Sequence, residues 1–157
     1  KILSMADYYL DTTNLAAADC KRKVAELLTE NQDLALHINC MSSGFKYGIP
    51  MDCDLVFDVR CLPNPFYVPE LKTRTGLEKP VSDYVFNFDE ANELLKKICD
   101  MVDFLPPLYV GEGKSQLTIA FGCTGGRHRS VSFAHRLYEH IKAQNYNVNE
   151  SHRDITK

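Results

Sequence analysis

The stretch GCTGGRHRS, Gly122 to Ser130, lies between the most strand-like run of the chain, Leu117 to Phe121, and a helical pattern running from Ser130 to about Lys142. A strand, a glycine turn and a helix start in that order form the basic unit of an α/β fold. Gly125 and Gly126 lack a Cβ, so the turn can be tight and its N–H groups can approach a ligand closely. A helix starting there aims unpaired N–H groups and a partial positive charge at the same spot, an arrangement that binds anions. Arg127, His128 and Arg129 add positive charge where a helix alone would favour Asp or Glu, and a bound phosphate accounts for that placement.

The bulk of the chain fits one α/β unit around this stretch. At 157 residues, 45% hydrophobic and 25% charged, it is long enough for one sizeable core and too short for two full α/β domains. No apolar run reaches the roughly 18 to 20 residues that span a membrane, and no signal-peptide pattern is present, so no membrane partner and a cytoplasmic location are expected. Cys20, Cys40, Cys53, Cys61, Cys99 and Cys123 are scattered without a C-x-x-C pair. That spacing fits free, mostly buried thiols better than a disulfide framework, and it offers no metal site. Charge is uneven: residues 1–113 hold 11 Lys and Arg against 18 Asp and Glu, whereas residues 114–157 hold 7 against 3. An acidic body with one basic end suits a focused anion or nucleic-acid contact, or simply a helix with a solvated basic face.

Outward from the glycine loop, the chain alternates strands and helices. Residues 6–11 read as a short strand, and Thr12, Thr13 or Asn14 can cap a helix continuing to about Glu30. With Lys1 rather than Met at the start, residues 1–31 are expected to be the remnant of an upstream domain and a connecting helix, and residues 32–157 the main domain. Leu34 to Asn39 is a strand leading into SSGFKYGIP, where Gly44 and Gly48 flank Phe45, Lys46 and Tyr47; this is either a packed surface loop or a ligand-contacting one. Leu55 to Arg60 is apolar enough for a central strand. Its Asp58 and Arg60 share a face, so Arg60 either pairs structurally or stands at the strand's carboxyl end, where open α/β sheets bind ligands. Residues 66–81 lack periodicity and read as a long loop carrying Lys72 and Arg74. A scaffold helix is expected from Asp89, broken or restarted at Pro106 and Pro107. The last helix turns Val131, Ala134, Leu137, Tyr138 and Ile141 inward, and Tyr146 to Asn149 reads as an edge strand.

Two motifs are misleading. GEGKS at 111–115 resembles half of an ATP-binding P-loop, but position 108 is Leu108, and the motif precedes a strand instead of opening a helix. Gly122, Gly125 and Gly126 do not fit G-x-G-x-x-G. Cys123 to Ser130 does fit C-x-x-G-x-x-R-S, the phosphate loop of cysteine-dependent phosphatases, with Cys123 as nucleophile and Arg129 holding the phosphoryl oxygens. Against catalysis, Gly122 stands where those enzymes carry His, and a chain without Trp has no Trp-Pro-Asp acid loop. The same loop used as a non-reacting phosphate cradle, with Cys123 a structural thiol, is therefore the preferred reading.

The pieces GFKYGIP (44–50), DLVFDVR (54–60), LPNP (62–65), PEL (69–71), TGL (75–77), GKSQLTIAFGCTGGRHRSV (113–131) and SHRD (151–154) together resemble the C-terminal domain of the RapZ/YvcJ family of bacterial nucleotide-binding proteins. The resemblance spans most of residues 32–157, and ADYYLDTTNL (6–15) looks like the last strand of that family's N-terminal P-loop domain. It implies an α/β domain with a mixed or mostly parallel sheet flanked by helices, like half of a phosphofructokinase. It further implies a non-catalytic sensor or adapter that binds a phosphorylated amino sugar, glucosamine-6-phosphate, and in one branch presents small regulatory RNA to a ribonuclease, with self-association into a homo-oligomer. ATP or GTP would belong to the N-terminal domain, leaving no cofactor here. Carried over by position, Thr124, Gly125, Gly126, Arg127, His128, Arg129 and Ser130 would form the pocket, faced by Lys46, Tyr47 and Arg60. Lys72, Arg74, Arg136, His140, Lys142, His152 and Arg153 are the basic side chains available to RNA. Cys61, Thr73, Arg74 and Ser43 depart from the family pattern at the pocket rim.

Overall fold

The computed structural model describes residues 12, 13, 15–28 and 36–157. The strand expected over residues 6–11 and a cap at Asn14 lie outside the described residues. Helix α1 (Ala17–Leu28) is followed by β1 (His37–Gly44), β2 (Leu55–Asp58), α2 (Lys79–Phe86), α3 (Asp89–Gly111), β3 (Gln116–Cys123), α4 (Arg129–Lys142) and β4 (Asn147–His152). The four strands form one sheet in the order β2-β3-β1-β4, and every pairing is parallel. This is the α/β architecture expected, with β4 at the edge as read from the sequence.

The core follows from strand parity. Leu117, Ile119, Phe121 and Cys123 alternate along β3 on the face that also carries Ile38 and Cys40 of β1. Against this face packs α4, which touches β1, β3 and β4 and is buttressed in turn by α2 and α3. Phe133 of α4 is fully buried, with ring centroids 5.7 Å from Phe121 and 5.1 Å from Phe86 of α2. These tilted aromatic contacts tie the sheet to two helices at one point.

Four expectations change. The strand at Leu55 is an edge strand, not a central one: it pairs only with β3, stops at Asp58, and leaves Val56 40% exposed. Residues 66–81 are not one irregular loop, since α2 begins at Lys79 with Pro80 in its first turn, where a missing N–H does no harm. Val81 and Val85, one helical turn apart, are its buried contacts. Pro106 and Pro107 do not end α3, which continues to Gly111; Pro106 is buried, and the helix closes with the Glu112 N–H on the Leu108 carbonyl. The strand read over Leu34 to Asn39, of which residues 34 and 35 lie outside the described residues, runs on from His37 past Asn39 through Ser42 and Ser43, both buried, to Gly44.

Because all four strands run the same way, Gly44, Asp58, Cys123 and His152 end at one edge of the sheet. The segments that follow them converge there. Open parallel sheets bind their ligands at this carboxyl edge.

Phe133→Ala should lower the unfolding free energy by about 3 to 5 kcal/mol in urea titration, whereas Phe104→Ala, at a site 67% exposed, should change it by no more than about 0.5 kcal/mol.

Candidate phosphate-binding site

The glycine loop leaves β3 and folds back on the end of β1. Gly126 has φ +76°, a left-handed conformation, and a Cβ there would stand 2.6 Å from the Gly44 nitrogen and 2.9 Å from the Asp154 Cβ. Only glycine meets both demands at once. The Gly44 N–H in turn donates to Asp154 Oδ2 at 2.8 Å. Asp154 is fully buried, yet it also takes bonds from Arg153 (2.9 Å) and Lys157 (2.8 Å). Burial pushes its pKa up; the bonds from Arg153, Lys157 and the Gly44 N–H outweigh that and hold the carboxyl below the usual Asp value.

Helix α4 begins at this loop with no side chain capping it: His128 is the N-cap and makes no cap hydrogen bond. The first N–H groups of the helix are therefore available to an anion. Arg129 is 4% exposed, and its Nη1 donates to the carbonyls of Arg60 (2.9 Å) and Leu62 (2.8 Å), while its Nε is buried without an acceptor. Arg127 shows the same pattern, with Nη2 on the Thr73 carbonyl at 2.8 Å and Nε unmet. Buried donors left without partners are rare, and both arginines are among the residues that line one opening. His128 Nε2 lies 3.2 Å from the Leu71 carbonyl, so this nitrogen carries the proton in the neutral ring. Cys123 Sγ accepts the Gly126 N–H at 3.2 Å and lies 3.1 Å from Ser130 Oγ.

The opening is a cavity of roughly 370 Å³. Loop residues Cys123, Thr124, Gly125, Arg127, His128 and Arg129 form one side. Asn64, Phe66, Tyr67 and Lys72 form another, and Lys46 and Lys157 complete it. No Asp or Glu is among these lining residues.

The RapZ C-terminal domain family model matches residues 36–156. The chain belongs to the RapZ C-terminal domain family. It is 50% identical over 155 residues to a nucleotide-binding protein of Caldanaerobacter subterraneus subsp. tengcongensis, covering 98% of this chain and 55% of that protein. It is likewise 50% identical over 152 residues to a nucleotide-binding protein of Bacillus cytotoxicus, covering 97% of this chain and 52% of the relative. The chain thus spans about half the length of the curated relatives it matches.

Within this family member, the residues singled out in the sequence fall into different positions. Thr124, Gly125, Arg127, His128, Arg129 and Lys46 line the cavity together. Gly126 and Ser130 belong to the loop but serve its shape, one packed on Gly44 and the other beside the Cys123 thiol. Tyr47 carries Lys46 Nζ at 4.7 Å and Lys157 Nζ at 4.8 Å from its ring centroid, holding both cations near the opening. Arg60 satisfies both of its sequence alternatives without lining the cavity. It lies just past the carboxyl end of β2, paired with Asp58 at 2.6 Å and stacked on Phe45 at 4.6 Å. Only its backbone carbonyl reaches the site, through Arg129.

The basic residues considered for RNA come from several elements, and most are engaged within the chain. Lys72 lines the cavity, and Arg74 pairs with Glu78 at 3.2 Å. Arg136 and Lys142 on α4 lie over the Phe86 and Tyr138 rings, and His140 contacts Asp103. His152 bonds Ser42, and Arg153 bonds the Gly44 and Gly48 carbonyls as well as Asp154. Lys114 of the misleading GKS turn pairs with Asp54 at 2.6 Å, next to the amino-terminal end of β3 and so across the sheet from the cavity.

Asn64, Phe66, Tyr67 and Lys157 escaped the sequence reading as site residues. The signal was present in LPNP: the Asn64 side chain accepts the Phe66 N–H at 3.2 Å and fixes a one-turn 3₁₀ helix, which leaves Phe66 46% and Tyr67 81% exposed. Two adjacent aromatic rings held out to solvent by a rigid turn point to a surface with a use.

Burial depresses the pKa of both His128 and His152 below 6.5; for His128 the Leu71 carbonyl opposes this and Arg127 adds to it, and for His152 Glu150 opposes it and His135 adds to it. A depressed folded-state value means that the neutral form stabilises the fold. That contribution is complete above pH 6.5 and is lost as pH falls below it toward the folded-state values. Denaturant midpoints measured from pH 7.5 to pH 5 should therefore fall, and His152→Gln should flatten the slope.

Proposed function

We propose that this domain binds the phosphoryl group of a small phosphorylated metabolite and does so without chemistry, as a sensor. The observation that carries this reading is the cavity itself. Lys46, Lys72, Arg127, Arg129 and Lys157 line it, no carboxylate does, and the buried Nε atoms of Arg127 and Arg129 lack acceptors. An anion at the start of α4 would meet the uncapped helix N–H groups and these guanidinium donors at once. Glucosamine-6-phosphate is the candidate metabolite from the family resemblance. With no carboxylate for its ammonium, the phosphate would supply most of the affinity.

The phosphatase reading shares the loop, and one contact favours it: Ser130 Oγ beside Cys123 Sγ is the arrangement that a thiolate nucleophile uses. Two features weigh more. The lining offers no Asp or Glu to protonate a leaving group, and Cys123 is 3% exposed at the floor. Cys123 then acts as a structural thiol that accepts the Gly126 N–H and keeps the loop turned. RNA binding gains less from this geometry, because the basic side chains available for it are spread over separate elements and mostly engaged within the chain.

Calorimetric titration with glucosamine-6-phosphate should show one site. Arg129→Ala should weaken it about 10- to 150-fold, the worth of hydrogen bonds to a charged group. The exposed Lys46→Gln, which leaves the fold untouched, should weaken it about 10-fold. A wild-type protein that binds no phosphorylated sugar would refute the reading. Hydrolysis of an aryl phosphate that disappears in Cys123→Ser would replace it with catalysis.

A further inference from the structure

The charge on the cavity wall exceeds what one phosphate neutralises. Lys46, Lys72, Arg127 and Arg129 all line the opening; Arg129 stands near enough to Asp58 to help lower its pKa, but Asp58 is already paired with Arg60 at 2.6 Å. Lys157, the fifth cation, shares the single carboxylate of Asp154 with Arg153. A phosphate monoester brings a charge of about −1.5 to −2 at neutral pH. Roughly two positive charges would remain on the wall, and an ammonium on the ligand would add another.

The cations also divide by place. Arg127, Arg129 and Lys46 belong to the loop: Lys46 donates its backbone N–H to the Thr124 carbonyl at 3.2 Å, and its Cε lies 4.0 Å from where a Gly125 Cβ would be. Lys72 comes from the opposite wall. Its Nζ rests 4.7 Å from the Phe66 ring centroid, next to Tyr67 and Asn64, with no anion of the protein to hold it there. Exposed rings flanked by a cation form a surface that covers the flat face of a sugar or base while meeting a charge attached to it.

We infer that the cavity is built for a small metabolite carrying two phosphoryl groups, one seated on the 124–129 loop and the second met by Lys72 beside Phe66 and Tyr67. The inference rests on the phosphate-binding reading above and moves its ligand class from a monophosphate such as glucosamine-6-phosphate to a bisphosphate, for which the monophosphate would fill only the loop.

The test compares two sugars that differ only in the second phosphate. Glucose-6-phosphate and glucose-1,6-bisphosphate are titrated into the full chain by calorimetry at matched ionic strength. The bisphosphate should bind with one site per chain and at least about 10-fold more tightly, the worth of one charge-assisted contact. Lys72→Gln, at an exposed position, should cut that advantage to about 3-fold or less. Equal affinities for the two sugars would overturn the inference while leaving the phosphate reading intact, as would a Lys72→Gln loss equal for both. Two equivalents of glucose-6-phosphate per chain with no bisphosphate advantage would mean separate sites and would overturn it too. If neither sugar binds, the inference falls, and the phosphate reading falls with it unless glucosamine-6-phosphate binds.

Discussion

A carboxylate with no access to solvent holds the carboxyl edge of this sheet together. Asp154 accepts the Gly44 N–H at the end of β1, and its side chain stands against the position that Gly126 leaves open. A buried charge is costly unless it is paired and hydrogen-bonded, and Arg153, Lys157 and the Gly44 N–H meet both conditions. One group therefore fixes three chain segments: the end of β1, the glycine loop and the turn after β4. Lys157 is carried to the cavity by the same bond that neutralises the carboxylate. Protonating Asp154 would remove the charge that holds Arg153 and Lys157 at this edge.

That constraint explains how an acidic chain presents a basic site. Among the described residues, Asp83, Asp89, Glu90, Glu93, Asp100 and Asp103 lie on exposed faces of α2 and α3, where pairs such as Lys79 with Asp83 and Lys96 with Asp100 occur one turn apart. The cations that matter come from four separate segments, brought together by the parallel order of the strands. Four of them are steered without carboxylates, by rings or carbonyls: Tyr47 under Lys46, Phe66 under Lys72, the Thr73 carbonyl on Arg127, and the Arg60 and Leu62 carbonyls on Arg129. Holding cations with rings and carbonyls orients them while leaving their charge available to a ligand.

Much of this was legible from the residues alone. Leu117 to Phe121 had to be a buried strand, and the helix after it had to start at the glycines, so the loop and its anion preference followed from local pattern. What stayed hidden depended on contacts between distant segments. Lys79-Pro80 read as the end of a loop because proline marks both loops and first helical turns, and only the burial of Val81 and Val85 separates the two. Leu55 to Asp58 looked central because its apolar content does not say how many neighbours it has. Phe66, Tyr67 and Lys157 reach the cavity only because the strands end at one edge. Arg60 shows the limit most clearly: pairing beside Asp58 and a place at the carboxyl end of β2 were both readable as alternatives, but not that they hold together with Phe45 stacked on the guanidinium.

The central claim is that the 123–130 loop holds a phosphoryl group and leaves it unchanged. Phosphorus NMR of glucosamine-6-phosphate tests both halves in one sample. The account requires the ester resonance to shift and broaden as protein is added, with no inorganic phosphate appearing over hours. An unperturbed ester signal, or a growing inorganic phosphate peak that Cys123→Ser abolishes, would contradict it.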